Sequence, residues 1–175
     1  MAALMKLTWH HASYESGNKR AKIEEQLPSQ AAVDSLNDSR TVYVIRVGAP
    51  FSLSYPLQPS PVVYIGKGAV WNRLSACHSK WISKIQQKLG TRFEFSFCSP
   101  RRQKYENAYA QVEADLIQLF VAKFGTLPLM NSRKEWPDKQ WSYDRWSSRV
   151  PLQEVDGSHY CSLSLFDALF DLEEA

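Results

Sequence analysis

Three segments in the middle of the chain have the apolar patterns that β-strands show. Residues 41–47 form a β-branched and aromatic run, and residues 62–65 form a second run that ends at Gly66. Between residues 92 and 98, phenylalanine occupies alternate positions, which predicts a strand with one strongly apolar face. Residues 51–61 contain three prolines, so we expect a loop between the first two strands.

Apolar spacing of three and four predicts helices on both sides of the third strand. Residues 69–80 place Val70, Leu74 and Cys77 on one stripe, and a helical pattern continues over residues 81–89 with a break at the junction. The longest predicted helix covers residues 103–124 and ends at Gly125.

The order of these elements predicts an α/β (α+β) fold. We expect a small three-stranded, mainly antiparallel sheet flanked by helices. The ends of the chain are less regular. Residues 6–10 favour a short strand, residues 21–36 favour helical turns interrupted by Pro28, and residues 162–172 favour an amphipathic helix or a strand.

The net charge of +3 over 175 residues conceals an uneven distribution. Residues 62–104 hold nine lysines and arginines and one acidic residue, whereas the rest of the chain is net negative. Such a segment suits a polyanionic partner, although a solvated basic face has the same composition. The 44% hydrophobic and 22% charged residues exclude a low-complexity chain.

Three widely separated cysteines form no CxxC pair, which argues against a disulfide framework and for a reducing compartment. We therefore expect a cytoplasmic protein. The four histidines show no zinc-ligand spacing relative to the cysteines. The longest apolar-rich stretch, residues 116–124, contains Gln118 and Lys123 and is too short to cross a bilayer, so we expect no membrane partner.

Three local features carry candidate chemistry. Residues 64–68, Tyr-Ile-Gly-Lys-Gly, end a strand in two glycines that permit close backbone approach, although a simple turn also explains them. Arg73 and His78 lie on the next predicted helix, where α-helical geometry separates them by about 140°. Glu113 lies beside the buried stripe of the long helix, where a carboxylate needs a cation, a donor or a metal. Considered one at a time, these residues are equally well explained without a functional role: Arg73 as a surface arginine, His78 as a satisfied or solvated histidine, and Glu113 as a glutamate at the rim of the core.

Taken in order, these features resemble the GIY-YIG nucleases. Residues 41–43 (Thr-Val-Tyr) and 64–66 (Tyr-Ile-Gly) are similar to the paired tripeptides that name the family. Arg73, seven residues after Gly66, corresponds to the catalytic arginine, and His78 lies near a histidine or tyrosine of restriction-type members. Glu113 and Asn131 resemble the family's metal-binding glutamate and terminal asparagine.

The resemblance covers residues 41–131, the nuclease-like core. It leaves an N-terminal extension of residues 1–40 and a basic, aromatic C-terminal extension of residues 132–175, which we expect to pack on the core. Two departures stand out. Thr41 and Val42 replace the family's first glycine and isoleucine, and the proline-rich insert separates the two tripeptides unusually far.

The resemblance implies a divalent-metal-dependent endonuclease that hydrolyses DNA phosphodiester bonds. Glu113 would hold one Mg²⁺ or Mn²⁺ ion per active site, and Arg73 would donate to the phosphate oxygens. Tyr43 is the expected activator of the attacking water, with His78 as the competing candidate. Lys67 would make the tyrosine more acidic.

Two further residues have supporting roles in this interpretation. Tyr64 would position water or phosphate, and Asn131 would hold either Glu113 or the sheet edge. Residues 133–149 interleave basic and aromatic side chains, which suits base stacking or a tryptophan-rich mini-core. The expected nucleic-acid contacts are Lys80, Lys84, Arg101, Arg102, Arg133 and Lys134.

The expected partner is double-stranded DNA. A restriction-type enzyme with a palindromic target would favour a homodimer or a higher assembly. The sequence is equally compatible with a phage, mobile-element, toxin or repair nuclease. It is also compatible with a non-catalytic nucleic-acid-binding module with the same fold and with an unrelated small α/β protein.

Overall fold

The computed structural model describes residues 5–137, 141–144, 150–152 and 157–164, with backbone only at Cys77 and Val150. Within these ranges the protein is mixed α/β. The strands are β1 (His10–Tyr14), β2 (Val42–Val47), β3 (Phe51–Ser54), β4 (Pro59–Ser60), β5 (Val62–Lys67), β6 (Phe93–Cys98) and β7 (Cys161–Ser164). The helices are α1 (Arg20–Glu24), α2 (Gln30–Asn37), α3 (Val70–Asn72), α4 (Ser79–Leu89) and α5 (Ala108–Phe124).

The main sheet has four strands in the order β1-β6-β2-β5, and every neighbouring pair is antiparallel. The three strands predicted from the sequence are confirmed, but the expected three-stranded sheet gains β1 at one edge. The short strand expected at residues 6–10 lies instead at His10–Tyr14. Pairing with β6 decides this position, because it sets Ala12 opposite Phe95 and Tyr14 opposite Phe93.

A second sheet corrects the prediction that residues 51–61 form a loop. Strand β3 pairs with β4 on one side and with β7, in parallel, on the other. The prolines fit because Pro56 lies between the strands, and Pro59 lies in the two-residue edge strand β4, where a missing N–H is tolerated. Residues 165–172, where an amphipathic helix or strand was expected, lie outside the described ranges.

Helices cover both faces of the four-stranded sheet. Phe93, Phe95 and Phe97 are buried on the face that also carries Tyr43. The α3–α4 region packs there, with Trp81 against Phe93 at 5.7 Å between ring centroids. Helix α5 packs against β5 and β2 on the opposite face. The sheet therefore lies between two helical layers.

Two helix predictions need correction. A π-helical segment, Arg73–His78, joins α3 to α4, so the chain stays helical where a break was expected at Trp81. Helix α5 begins at Ala108, five residues later than predicted. The preceding residues form a tight turn, with the Tyr105 amide donating to the Arg102 carbonyl and Lys104 at a φ of 67°.

Candidate active site

The candidate site lies at one end of the β2–β5 pair. Tyr43 is directly opposite Gly66, and Val42 is directly opposite Lys67. Because successive side chains alternate between faces, Tyr43 and Lys67 project on opposite faces at the same end of the sheet. The Gly68 amide donates to the Thr41 carbonyl at 2.8 Å, which extends the ladder beyond both strands.

Aromatic side chains surround the Tyr43 hydroxyl on the face of the sheet that carries Tyr43. Tyr43 is fully buried, and its oxygen lies 3.1 Å from Nε2 of His78. The Tyr64 ring lies 4.7 Å from the His78 ring and 6.0 Å from the Tyr43 ring, measured between centroids. The two tyrosines and the histidine that the sequence singled out therefore meet in one cluster.

Trp81 fixes the proton on the His78 ring. The indole Nε1–H of Trp81 donates to Nδ1 of His78 at 3.1 Å. Indole can only donate, so Nδ1 must be an acceptor, and the neutral imidazole then carries its proton on Nε2. His78 consequently donates to the Tyr43 oxygen. With both ring nitrogens engaged, His78 has no free lone pair with which to act as a base.

Burial first, and the nearby positive charge of Arg73 second, together lower the pKa of His78 to about 4. The unfolded chain takes up a proton near pH 6.5, before the folded protein does. Stability present above pH 6.5 is therefore lost as the pH falls towards 4.

We expect the free energy of unfolding to fall by about 2 kcal/mol between pH 7 and pH 5 through His78 alone. Urea unfolding of the wild type and of His78→Gln at both pH values measures this contribution as the difference between their losses. Equal losses in the two proteins would contradict the assignment of a buried, neutral imidazole.

Gly66 makes the close approach of the two tyrosines to β5 possible. A Cβ at this position would lie 2.4 Å from Cε1 of Tyr64 and 2.9 Å from the Tyr43 hydroxyl. Both distances are shorter than real Cβ contacts. The glycine is therefore required by the packing of both rings.

Gly66→Ala should displace Tyr43 or Tyr64 and destabilise the fold by about 1–3 kcal/mol, as overpacking does. Gly90→Ala is a suitable comparison, because Gly90 has open space around it but a positive φ of 64°. Thermal unfolding should show both variants destabilised, and only Gly66→Ala should change the near-ultraviolet circular dichroism of the packed tyrosine rings. An unchanged spectrum from folded Gly66→Ala would contradict the ring placement.

Lys67 and Glu113 form an ion pair on the opposite face, with Nζ 2.5 Å from Oε2. Glu113 is 6% exposed, and burial raises the pKa of its carboxyl, opposed by Lys67. Burial lowers the pKa of Lys67, but the hydrogen bond and charge of Glu113, with smaller contributions from Glu135 and Tyr109, together outweigh it, so the net shift is upward. The Lys67 ammonium is thus directed to Glu113, whereas the sequence suggested that it acts on Tyr43.

The charge of Arg73 acts on both halves of the site. Its charge lowers the pKa of both His78 and Glu113, and its Nε lies 3.6 Å from the position of a Cβ on Gly68. The π-helical turn explains how Arg73 and His78 reach one site. Its hydrogen bonds join residues five apart, so these two residues lie near one another instead of about 140° apart.

Asn131 binds the open edge of β5. Its Oδ1 accepts from the Ile65 amide at 2.9 Å, and its Nδ2 donates to the Ile65 carbonyl at 2.8 Å. The adjacent Met130 amide donates to the Val63 carbonyl at 3.0 Å. Of the two roles considered for Asn131, these contacts correspond to holding the sheet edge next to the Gly66 turn.

Thr41, which stands where the resemblance to the GIY-YIG nucleases predicts a glycine, is fully buried. Its hydroxyl lies 2.7 Å from the Ser35 carbonyl, to which it donates, and 2.7 Å from the Ser99 hydroxyl. The threonine therefore joins the end of α2 to the start of β2 and the end of β6. The substitution leaves Tyr43 at its place in the sheet.

The six residues expected to contact nucleic acid occupy different surroundings. Lys80, Arg133 and Lys134 are exposed, and Lys84 is half-buried on α4. Arg101 forms an ion pair with Asp38, and Arg102 stacks over Trp141 at 4.6 Å. The sequence prediction thus mixes exposed cations with cations that already have protein partners.

Two residues near the site were not identified from the sequence. Trp81 follows His78 by three positions on a helix, and this spacing places two side chains next to each other. The sequence therefore carried a signal for the contact between Trp81 and His78. Glu135 raises the pKa of both Lys67 and Glu113, but its approach depends on how residues 132–137 fold over α5. Local sequence carries no signal for that contact.

The Glu113 carboxylate fits a single Mg²⁺ or Mn²⁺ ion. These cations prefer oxygen and are commonly held by one or two carboxylates, with waters and substrate phosphate completing the shell. Within the described ranges no group of three His, Cys, Asp or Glu side chains is arranged to hold a metal. Glu113 is a described carboxylate that could hold such an ion, and its Oε2 is paired with Lys67 in this structure.

Comparisons with protein-family models, with curated proteins and with solved structures gave no match. Within the described residues, no helix combines the length and the apolar character that crossing a bilayer requires.

Proposed function

We propose that this protein is a divalent-metal-dependent endonuclease that hydrolyses phosphodiester bonds in DNA. The observation that carries the proposal is that the candidate residues, which are far apart in the sequence, lie close together in the fold. Tyr43, Tyr64, Lys67, Arg73, His78 and Glu113 come from four separate elements and meet at one end of a sheet. Their order along the chain also resembles the GIY-YIG nucleases.

Activation of water is assigned to Tyr43. Its hydroxyl oxygen accepts a hydrogen bond from His78 Nε2–H, and such a donor stabilises the phenolate that forms when the tyrosine gives up its proton. His78 is therefore a positioning residue that holds the tyrosine oxygen. Tyr64 packs against both rings and lies more open to solvent, which suits contact with water or phosphate.

Stabilisation of the transition state is assigned to Arg73 and to Glu113, which lies on the opposite face of the sheet end. The forked guanidinium of Arg73 supplies donors to the non-bridging phosphate oxygens, on which negative charge accumulates. Glu113 would hold the Mg²⁺ or Mn²⁺ ion, and such an ion stabilises the leaving 3′ oxygen when bound. Lys67 neutralises the buried carboxylate and keeps it directed at the site.

Double-stranded DNA is the proposed substrate, because exposed cations flank the site on several elements and can contact its phosphates. A restriction-type enzyme is the specific biological form that we favour, with a homodimer reading a palindromic target. We also propose that the protein works in the cytoplasm. The alternatives to a restriction enzyme are a phage, mobile-element, toxin or repair nuclease, each with the same chemistry.

Plasmid cleavage tests the proposal directly. Purified protein is incubated with supercoiled plasmid in Mg²⁺, in Mn²⁺ and in EDTA, and the products are separated on a gel. We expect nicked, linear or fragmented plasmid with either metal and intact plasmid in EDTA. Intact plasmid under every metal condition, from folded protein, would overturn the proposal. Discrete fragments would indicate a specific site.

A second candidate is a nucleic-acid-binding module that does not cleave. The Lys67–Glu113 contact favours it, because the lysine already satisfies the carboxylate that a metal would need. This candidate predicts a mobility shift of labelled DNA and no metal-dependent products in the plasmid assay. The two functions are thus separated by one set of reactions.

A further inference from the structure

A cleft of about 440 Å³ opens next to Lys67, between the start of α5 and the segment that follows Asn131. Its lining combines aromatic side chains with polar groups. The residues on which the argument depends are Lys67, Tyr105, Gln111, Glu135, Trp136 and Trp141. Because Lys67 belongs both to the cleft and to the candidate site, the two are continuous.

One wall of the cleft is a packed aromatic group. The rings of Tyr105 and Trp141 meet edge to face at 5.6 Å, and the Arg102 guanidinium lies 4.6 Å from the Trp141 ring centroid. Trp136 differs from them, because it is 71% exposed. An indole that is so exposed beside this packed aromatic group presents a flat surface to a planar ligand.

The charges of this cleft suit an uncharged ring better than a phosphate. Two lysines, Lys67 and Lys104, are balanced by two glutamates, Glu106 and Glu135. Gln111 also lines the cleft, with its amide donating to Asp115 Oδ1 at 3.1 Å. A planar heterocycle with polar edges fits this combination, and a nucleobase is such a ring.

A neighbouring concave surface is basic and shares residues with the cleft. It contains four cations and one acid, namely Arg40, Arg101, Arg102, Lys104 and Glu106. Nη1 of Arg102 is buried and makes no hydrogen bond to the described residues, so it still requires an acceptor. Lys104 adopts a positive φ of 67°, which non-glycine residues rarely do and which is often found at functional sites.

We propose that the cleft binds an unpaired nucleotide of a single-stranded segment next to the phosphodiester that is cleaved. The base stacks on Trp136, and the phosphates of the same strand follow the basic surface at Arg40 and Lys104. This inference rests on the proposed function. It adds a substrate class, DNA in which a duplex adjoins a single strand.

The shape of the cleft favours a single strand over a base flipped out of a duplex. Base-flipping enzymes enclose the extruded base in a snug pocket that repays the cost of unstacking. This cleft is open, and its main stacking surface is largely exposed. Exposed aromatic platforms beside basic tracks are typical of single-strand binding.

Binding is measured by fluorescence anisotropy in EDTA, so that no cleavage occurs. The probes are a blunt duplex, the same duplex with a single-stranded overhang, the single strand alone, and the duplex with one central mismatch. We expect the wild type to prefer the overhang duplex over the blunt duplex. Trp136→Ala should weaken binding of the overhang duplex and single strand about tenfold, and that of the blunt duplex less than twofold.

Tyr160→Ala is the matched control, since Tyr160 is 77% exposed and lies outside the cleft. It should bind all four probes as the wild type does. Trp136→Phe keeps a ring and should retain most of the preference for the overhang, which separates stacking from misfolding. Thermal unfolding of each variant checks the fold.

The inference is overturned if Trp136→Ala binds every probe as the wild type does, or loses all of them equally. A loss confined to the mismatched duplex would assign the cleft to a flipped base instead. If the wild type cleaves plasmid but Trp136→Ala does not change binding, the proposed function stands and this inference fails. If Trp136→Ala weakens overhang binding but no metal-dependent cleavage is seen, the cleft binds nucleic acid and the proposed nuclease function fails.

Discussion

Arg73→Ala and Glu113→Gln should each reduce DNA cleavage by at least about 10²–10³-fold, the typical cost of losing a main electrostatic contact in a transition state. Arg73 supplies the guanidinium whose charge acts on both His78 and Glu113. Glu113 is the buried carboxylate assigned to the metal. Glutamine has the same size, so Glu113→Gln removes the charge without opening a cavity. Glu113→Ala should also abolish cleavage.

Binding should survive these changes. Arg73 is exposed on a helical segment that the packing of Val70 and Leu74 holds in place, so removal of its side chain should leave the fold intact. In EDTA, the Glu113 variants should bind DNA as tightly as the wild type or more tightly, because loss of the carboxylate leaves the positive charge of Lys67 to attract the phosphate. Anisotropy in EDTA and plasmid cleavage in Mg²⁺ measure the two quantities separately.

Two matched controls make this test specific. Arg92→Ala removes an exposed arginine at the other end of the sheet, and Glu25→Gln neutralises an exposed glutamate after α1. Both should cleave plasmid at rates within a few-fold of the wild type. Wild-type cleavage by folded Arg73→Ala, or by folded Glu113→Gln, would remove that residue from the proposed mechanism.

Tyr43→Phe should reduce cleavage by about 10²–10⁴-fold, the usual range for loss of a general base. The change removes only the hydroxyl oxygen. The ring stays packed among Tyr64, His78 and Gly66, so substrate binding should be unchanged. His78 Nε2–H loses its acceptor, which should lower the free energy of unfolding by about 1–3 kcal/mol.

Tyr55→Phe is the control for losing a buried phenol. The Tyr55 hydroxyl donates to the Val62 carbonyl at 2.6 Å and accepts from the Leu129 amide at 3.0 Å. This variant should be destabilised to a similar extent and yet cleave normally while folded. Single-turnover cleavage at saturating enzyme, at a temperature where both variants are folded, distinguishes them. Comparable cleavage by the two would exclude Tyr43 as the activator of water.

The individual elements of the core were accessible from the sequence because they depend on local pattern. The run at residues 42–47 and the alternation of Phe93, Phe95 and Phe97 identify two strands that the structure confirms. Gly90 and Gly125 end α4 and α5 with positive φ, as their positions predicted. The second sheet was missed because β3 is stabilised by β7, which lies about 110 residues further along the chain.

The candidate residues were also accessible, but their relationships were not. The resemblance of their order and spacing to the GIY-YIG nucleases singled out Tyr43, Arg73, His78 and Glu113 as a set. It predicted neither the π-helical turn that brings Arg73 towards His78 nor the indole that fixes the His78 tautomer. It directed Lys67 to Tyr43, whereas the pleat of β5 directs Lys67 to α5 and Glu113.

The sequence by itself determined which residues can perform chemistry and which short segments form strands and helices, since propensity, periodicity and turn residues act over a few positions. Tertiary structure decided which faces those residues occupy, which nitrogen of His78 carries a proton, and that Trp136 borders a cleft shared with Lys67. The physical reason is that contacts between distant segments, and the burial they cause, exist only once the two helical layers close over the sheet.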